Sequence, residues 1–145
     1  MAWSADLGTA GGYRRKVLAQ PVADSGAVFA MDADANVSCF DLRGGGRRWR
    51  TDTKPDDQDS TNVGGGVAVD QGVVYATNGL GQAVAMDAAT GAVKWRVDIG
   101  APARSSPTVA EGRLFVVTVE DRLAGLSAAH GHTIWSYRAP ESRTS

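Results

Sequence analysis

Apolar and polar residues alternate over short runs along most of the chain, and the runs break at glycine, aspartate and asparagine. The stretch from Gly65 to Asp98 shows this most clearly. Gly65 to Val69, Val73 to Thr77, Ala83 to Asp87 and Val93 to Asp98 alternate with period two and carry Val, Tyr and Thr, which is the pattern of strands. Between them stand Asp70-Gln71-Gly72, Asn78-Gly79-Leu80-Gly81 and Ala88-Ala89-Thr90-Gly91, which carry turn chemistry. No segment has helical periodicity. The pattern predicts an all-β fold.

The same pattern occurs three times without gaps. Gly26 to Trp49, Gly72 to Trp95 and Gly112 to Trp135 each span 23 residues. A second glycine stands four residues before each tryptophan, at Gly45, Gly91 and Gly131. Trp3 to Gly8 matches Trp95 to Gly100, and Trp3 also precedes Gly26 by 23 residues. Four short strands recurring at this spacing describe a propeller blade. The sequence therefore predicts a partial β-propeller: three four-stranded antiparallel blades plus one leading outer strand. The expected divisions are 2–8 for the outer strand of a preceding blade, 17–52 for the first blade and 53–62 for an acidic loop. The second blade takes 63–98, the third 104–138, and a flexible tail 139–145.

Within the second unit, Ala85, Asp87, Thr90, Gly91 and Trp95 have separable tasks. Gly91 suits a turn that needs positive φ. Asp87 and Thr90 can accept hydrogen bonds from amides in that turn. Trp95 opens the outer strand, and its ring is large and flat enough to fill the seam against an adjacent blade. Trp3, Trp49 and Trp135 take the same position, with Gly131 as the glycine of the third unit. The other reading of these tryptophans is a stacking platform for a cofactor or sugar. Gly64-Gly65-Gly66 open an inner strand, where small residues permit close backbone approach; no helix follows them to cradle a phosphate.

This residue pattern resembles the PQQ-like β-propeller repeat, and Ala85 to Trp95 fits its tryptophan-docking motif throughout. The first and third copies depart from it at Gly44, Ser127 and His130, which implies weaker turn capping there. Longer stretches resemble the BamB family of outer-membrane protein assembly factors in its alphaproteobacterial form. These are Trp3 to Gly8, Arg14 to Lys16, Val63 to Ala68, Tyr75 to Gly81, Gly100 to Thr108 and Phe115 to Leu123. The resemblance implies a non-catalytic periplasmic lipoprotein scaffold that binds the barrel-inserting subunit of the assembly machinery through loops on one face of an eight-bladed ring. It also implies no cofactor and no metal. Two other functions stay open: a different PQQ-like binding module, or part of a PQQ-dependent dehydrogenase. The latter class uses a vicinal cysteine pair, calcium ligands and a tryptophan floor.

Composition narrows the picture. Lys plus Arg is 15, Asp plus Glu is 16, and the net charge is -1, so nothing electrostatic points to nucleic acid or anionic lipid. No apolar run approaches the ~20 residues of a membrane span. Met1 to Ser4 carries no signal or acylation motif, and Cys39, the sole cysteine, lies in a strand. An excised arc of a larger ring is expected, with two uncovered apolar blade faces and self-association through them.

Candidate chemistry outside the repeat is sparse. Asp56, Asp57 and Asp59 lie in a loop without calcium-loop spacing, and read as solvated or partner-facing. His130 and His132 lack a third ligand. Arg43, Arg47, Arg48 and Arg50 read as a solvated edge. Arg104, before an inner strand, and Arg122, at a turn, are the candidates for a partner-facing surface. No nucleophile constellation is present.

Overall fold

The computed structural model describes residues 21–53 and 65–138, all strand, turn or irregular. Strands β1 (Val22–Asp24), β2 (Ala27–Met31), β3 (Asn36–Asp41) and β4 (Arg47–Asp52) form the first sheet. The second holds β5 (Gly65–Asp70), β6 (Val73–Asn78), β7 (Gln82–Asp87) and β8 (Val93–Asp98). The third holds β9 (Thr108–Ala110), β10 (Arg113–Val117), β11 (Arg122–Ser127) and β12 (Thr133–Arg138). Each sheet is an antiparallel meander in chain order, so the chain forms a partial propeller of three blades. The strand expected around Trp3, the Arg14 to Lys16 cluster, the aspartates of the acidic loop and the 139–145 tail lie outside the described residues.

Local sequence sets the hairpins. Ser25-Gly26, Gln71-Gly72 and Glu111-Gly112 join the first two strands of each blade, and both residues of each pair have positive φ. These are two-residue loops whose twist matches the strands they connect. The next turn in each blade is held by a side chain six residues beyond that glycine. Asp32 Oδ1 accepts from the amides of Asp34 and Asn36, Asn78 Oδ1 from those of Leu80 and Gln82, and Thr118 Oγ1 from those of Glu120 and Arg122. Gly65 has φ +84°, and a β-carbon there would fall on the Thr77 carbonyl, so the inner strand does approach its neighbour closely.

The core lies between blades. Phe29, Met31, Val37 and Cys39 of the first sheet pack on Val67, Val74, Val84 and Met86 of the second. Tyr75, Ala83 and Ala85 on the other face of the second sheet pack on Leu114, Val116 and Leu126 of the third. On the first sheet's other face Ala30, Ser38 and Phe40 are all 5% exposed or less. On the far face of the third sheet Trp135 is 39% and Tyr137 56% exposed.

Candidate functional site

Among the described residues, Trp49, Trp95 and Trp135 are each aimed by a fault in the strand. The outer strands β4, β8 and β12 begin two residues before the tryptophan rather than at it, and a register shift falls between. Cys39 pairs with Trp49 while Phe40 pairs with Arg47; Ala85 and Gly125 stand likewise opposite Trp95 and Trp135. A bulge of this kind raises local twist and redirects the side chain that follows it. The ring then lies over a small cross-strand partner and beside an aromatic one strand further in. Phe29 and Trp49 have centroids 6.0 Å apart, Tyr75 and Trp95 6.3 Å, and Phe115 and Trp135 5.9 Å, all tilted.

The ring also engages the next blade. Trp49 Nε1 donates to the Ala88 carbonyl at 2.9 Å, and Trp95 Nε1 to the Ala128 carbonyl at 2.9 Å. The turn that offers each carbonyl is tightly built. Asp87 accepts from the Gly91 amide through its carbonyl at 2.7 Å and from the Ala89 amide through Oδ1 at 2.7 Å, while Thr90 Oγ1 accepts from Ala92 at 3.2 Å. The corresponding side-chain caps are longer in the other blades, 3.2 Å at Asp41 and 3.3 Å at Ser127. Thr51 Oγ1 adds a bond to the Gly91 carbonyl at 2.6 Å.

A second, polar junction joins the first two blades at the opposite end of the outer strands. Thr53 donates to the Ala35 carbonyl through both its amide and Oγ1. Buried Asn78 donates from Nδ2 to the Thr53 carbonyl at 3.1 Å and to Thr53 Oγ1 at 3.2 Å. Arg96 adds a bond to the same carbonyl at 3.0 Å. Sequence reasoning missed this junction. The available signal was that Asp32, Asn78 and Thr118, all turn-forming residues, recur at one offset in the repeat.

Arg104 and Arg122 come to the same end of the third blade. Arg104 Nη2 bonds Asp121 Oδ1 at 2.8 Å on an exposed surface. Arg122 is the first residue of β11 rather than a turn residue, and its guanidinium lies across the seam against Gly100. Arg104 is thus an exposed, ion-paired cation, while Arg122 covers backbone. His130 and His132 stack with ring centroids 6.1 Å apart on an exposed turn. Two shallow clefts open between hairpins of successive blades. One of about 350 Å³ is lined by Asp24, Arg48, Asp87 and Ala88, and one of about 420 Å³ by Asp70, Tyr75, Glu111 and Ala128.

Burial pushes the Cys39 thiol up, against a smaller lowering by Arg48, with Asp41 raising it slightly. Burial also pushes the Tyr75 phenol up, with the Asp70 carboxylate adding to it. Both groups are held neutral and apolar in character. A quinone site does not fit the described residues. Cys39 has no second cysteine to pair with, and Trp49 and Trp95 are committed to seams. Among the described residues no group of three or more His, Cys, Asp or Glu could hold a metal ion.

Comparison with solved structures returns propellers. BamB from Moraxella catarrhalis superposes with a TM-score of 0.71 at 23% identity, over 83% of this chain and 35% of that one. Quinohemoprotein alcohol dehydrogenase ADHIIG from Pseudomonas putida HK5 gives 0.71 at 26% identity, over 85% and 20%. The quinohemoprotein alcohol dehydrogenase of Comamonas testosteroni gives 0.69 at 26%, over 85% and 21%. The chain spans about a third of the first protein's length and about a fifth of the other two. No curated protein sequence matches. The family model for outer membrane protein assembly factor BamB matches residues 33–145, and the chain belongs to that family of PQQ-like propeller repeats.

Proposed function

We propose that this chain is part of a non-catalytic protein-binding scaffold of the outer-membrane β-barrel assembly machinery, working on the periplasmic face of that membrane. The observation that carries the reading is the BamB family match across residues 33–145. The geometry supports it, because Trp49, Trp95, Gly91 and Gly131 are spent on joining blades and the loops remain for recognition. Arg104 is the candidate contact on those loops, exposed beside Asp121.

The test is binding of the immobilised chain to the periplasmic domains of the barrel-inserting subunit. Saturable binding, weakened by Arg104→Glu, supports the proposal. No binding, or saturable binding of pyrroloquinoline quinone with calcium and an accompanying dehydrogenase activity, overturns it.

A further inference from the structure

Among the three blades, only the second carries a hydroxyl at its inner aromatic position. Tyr75 stands three residues after the hairpin glycine, where the first and third blades have Phe29 and Phe115. Tyr75 is 6% exposed, and its hydroxyl makes no hydrogen bond among the described residues. A buried hydroxyl left without a partner is costly. Tyr75 lines the cleft between the hairpins of the second and third blades, together with the exposed Asp70 and Glu111 and the apolar Val73 and Val109. The Asp70 carboxylate is close enough to the phenol to raise its pKa beyond what burial does. Among the described residues neither carboxylate has an ion-pair or hydrogen-bond partner, and no Lys, Arg or His lines this cleft. The cleft between the first and second blades differs, because it carries its own cation. There Arg48 stands with Asp24 and Asp87, pairs with Asp41 at 3.6 Å and donates to the Gly26 carbonyl at 3.5 Å.

We propose that the cleft between the second and third blades receives an arginine side chain of a protein partner. Two carboxylates and a phenol oxygen are acceptors in want of donors, and a guanidinium presents a planar fork of N–H donors. Its weakly hydrated head and long apolar stem match walls that are part carboxylate and part valine. A lysine ammonium, more strongly hydrated and without the fork, fits less well. A bare metal ion fits worse, since the described residues bring no three His, Cys, Asp or Glu together. The volume of about 420 Å³ admits one long side chain, and the cleft is shallow, which suits a group presented by a larger surface. Its acceptors are placed in advance, because Gln71, Gly72, Glu111 and Gly112 fix both hairpins with positive φ. This inference goes beyond the assembly-machinery reading and survives its failure, since any partner that presents an arginine would serve.

Titration of the full chain with N-acetyl-arginine N-methylamide tests it, since the capped ends leave the guanidinium as the probe's one charge. The amide shifts of Gln71 and Gly112, both on the cleft wall, report binding. The expected result is saturation with a Kd on the order of millimolar, weakened by added salt. The lysine counterpart binds about threefold or more weakly, and the uncharged citrulline counterpart does not saturate. Asp70→Asn and Glu111→Gln each weaken binding by about threefold or more. Tyr75→Phe weakens it by about twofold or more and keeps the fold, because phenylalanine already serves at this position in the other blades. Asp24→Asn, at the register position of Asp70 in the first blade, leaves binding unchanged. Free arginine, whose own carboxylate meets the two acidic residues, binds no more tightly than the capped probe. Absence of saturable shifts, an equal response to the lysine or citrulline probe, tighter binding of free arginine, or a loss with Asp24→Asn and not with Asp70→Asn overturns the proposal.

Discussion

The indole of Trp95 lies directly on the α-carbon of Gly131 in the next blade. A β-carbon built there would stand 2.5 Å from the ring, and one at Gly91 would stand 2.6 Å from the ring of Trp49. Each of these glycines therefore meets two demands. It takes a φ of +83° or +80°, and it leaves room for a neighbouring blade's ring.

Replacing Gly131 by alanine separates those demands when compared with Gly26→Ala. Gly26 has φ +82° with nothing within 4 Å of the added carbon, so its replacement should cost about 1–2 kcal/mol from backbone conformation alone. Gly131→Ala adds displacement of the ring and is expected to cost about 2–4 kcal/mol in all. Urea midpoints of the two variants measure the difference. Equal losses would show that the docked ring adds nothing to the requirement for glycine.

How much of this was legible in the sequence follows from the range of each interaction. The strands, the positive-φ hairpins and the turn around Asp87 are local, and their residues carry the signal within a few positions. The spacing from Gly26 to Trp49 marked the blade. It did not show that Trp49 reaches the Ala88 carbonyl, because a backbone carbonyl that accepts a bond has no side-chain signature. The Thr53 to Asn78 junction was hidden for a related reason. Its two residues sit in different blades, and Thr53 read as the start of an acidic loop. Arg122 lies one residue past the turn expected for it, for want of any signal to separate the last turn residue from the first strand residue.

Trp49, Trp95 and Trp135, the three described tryptophans, provide an internal comparison. Trp49→Phe and Trp95→Phe remove an indole donor and leave the Ala88 or Ala128 carbonyl without it, together with part of the ring, at an expected cost of about 1–3 kcal/mol. Trp135 has no such bond among the described residues and is 39% exposed, so Trp135→Phe should change stability by less than about 0.5 kcal/mol. Denaturation of the three variants at low protein concentration checks the order. A loss at Trp135 equal to the others would mean that the contacts within a blade, not between blades, hold the ring.

Asn78 and Thr118 occupy one position of the repeat, but only Asn78 reaches across a seam. Thr118→Ala gives up two long bonds within its own turn and is expected to cost about 1 kcal/mol. Asn78→Ala loses two turn bonds and two bonds to Thr53 from a site 1% exposed, and the expected cost is about 2–4 kcal/mol. A double-mutant cycle with Thr53→Val isolates the bond to Thr53 Oγ1, and a coupling near zero would remove the side-chain junction from the account.

Stability should fall on the alkaline side, with a sign fixed by Cys39 and Tyr75. Both lose a proton to become anions, and burial raises both pKa values in the folded chain. A raised folded value means that the folded state holds its proton where the unfolded state has lost it. The associated stability is fully present below the unfolded pKa and is lost as pH rises through the folded one. The decline should begin near pH 9.0, the ordinary value for the thiol, and steepen past 10.0, that for the phenol. Cys39→Ala should remove the earlier part of the decline with little strain, since the second blade already places Ala85 under its tryptophan. Tyr75→Phe keeps the ring beside Trp95 and should remove the later part. Thermal melts of the three proteins from neutral to strongly alkaline pH decide it. Parallel curves for all three would show that neither group carries the alkaline loss.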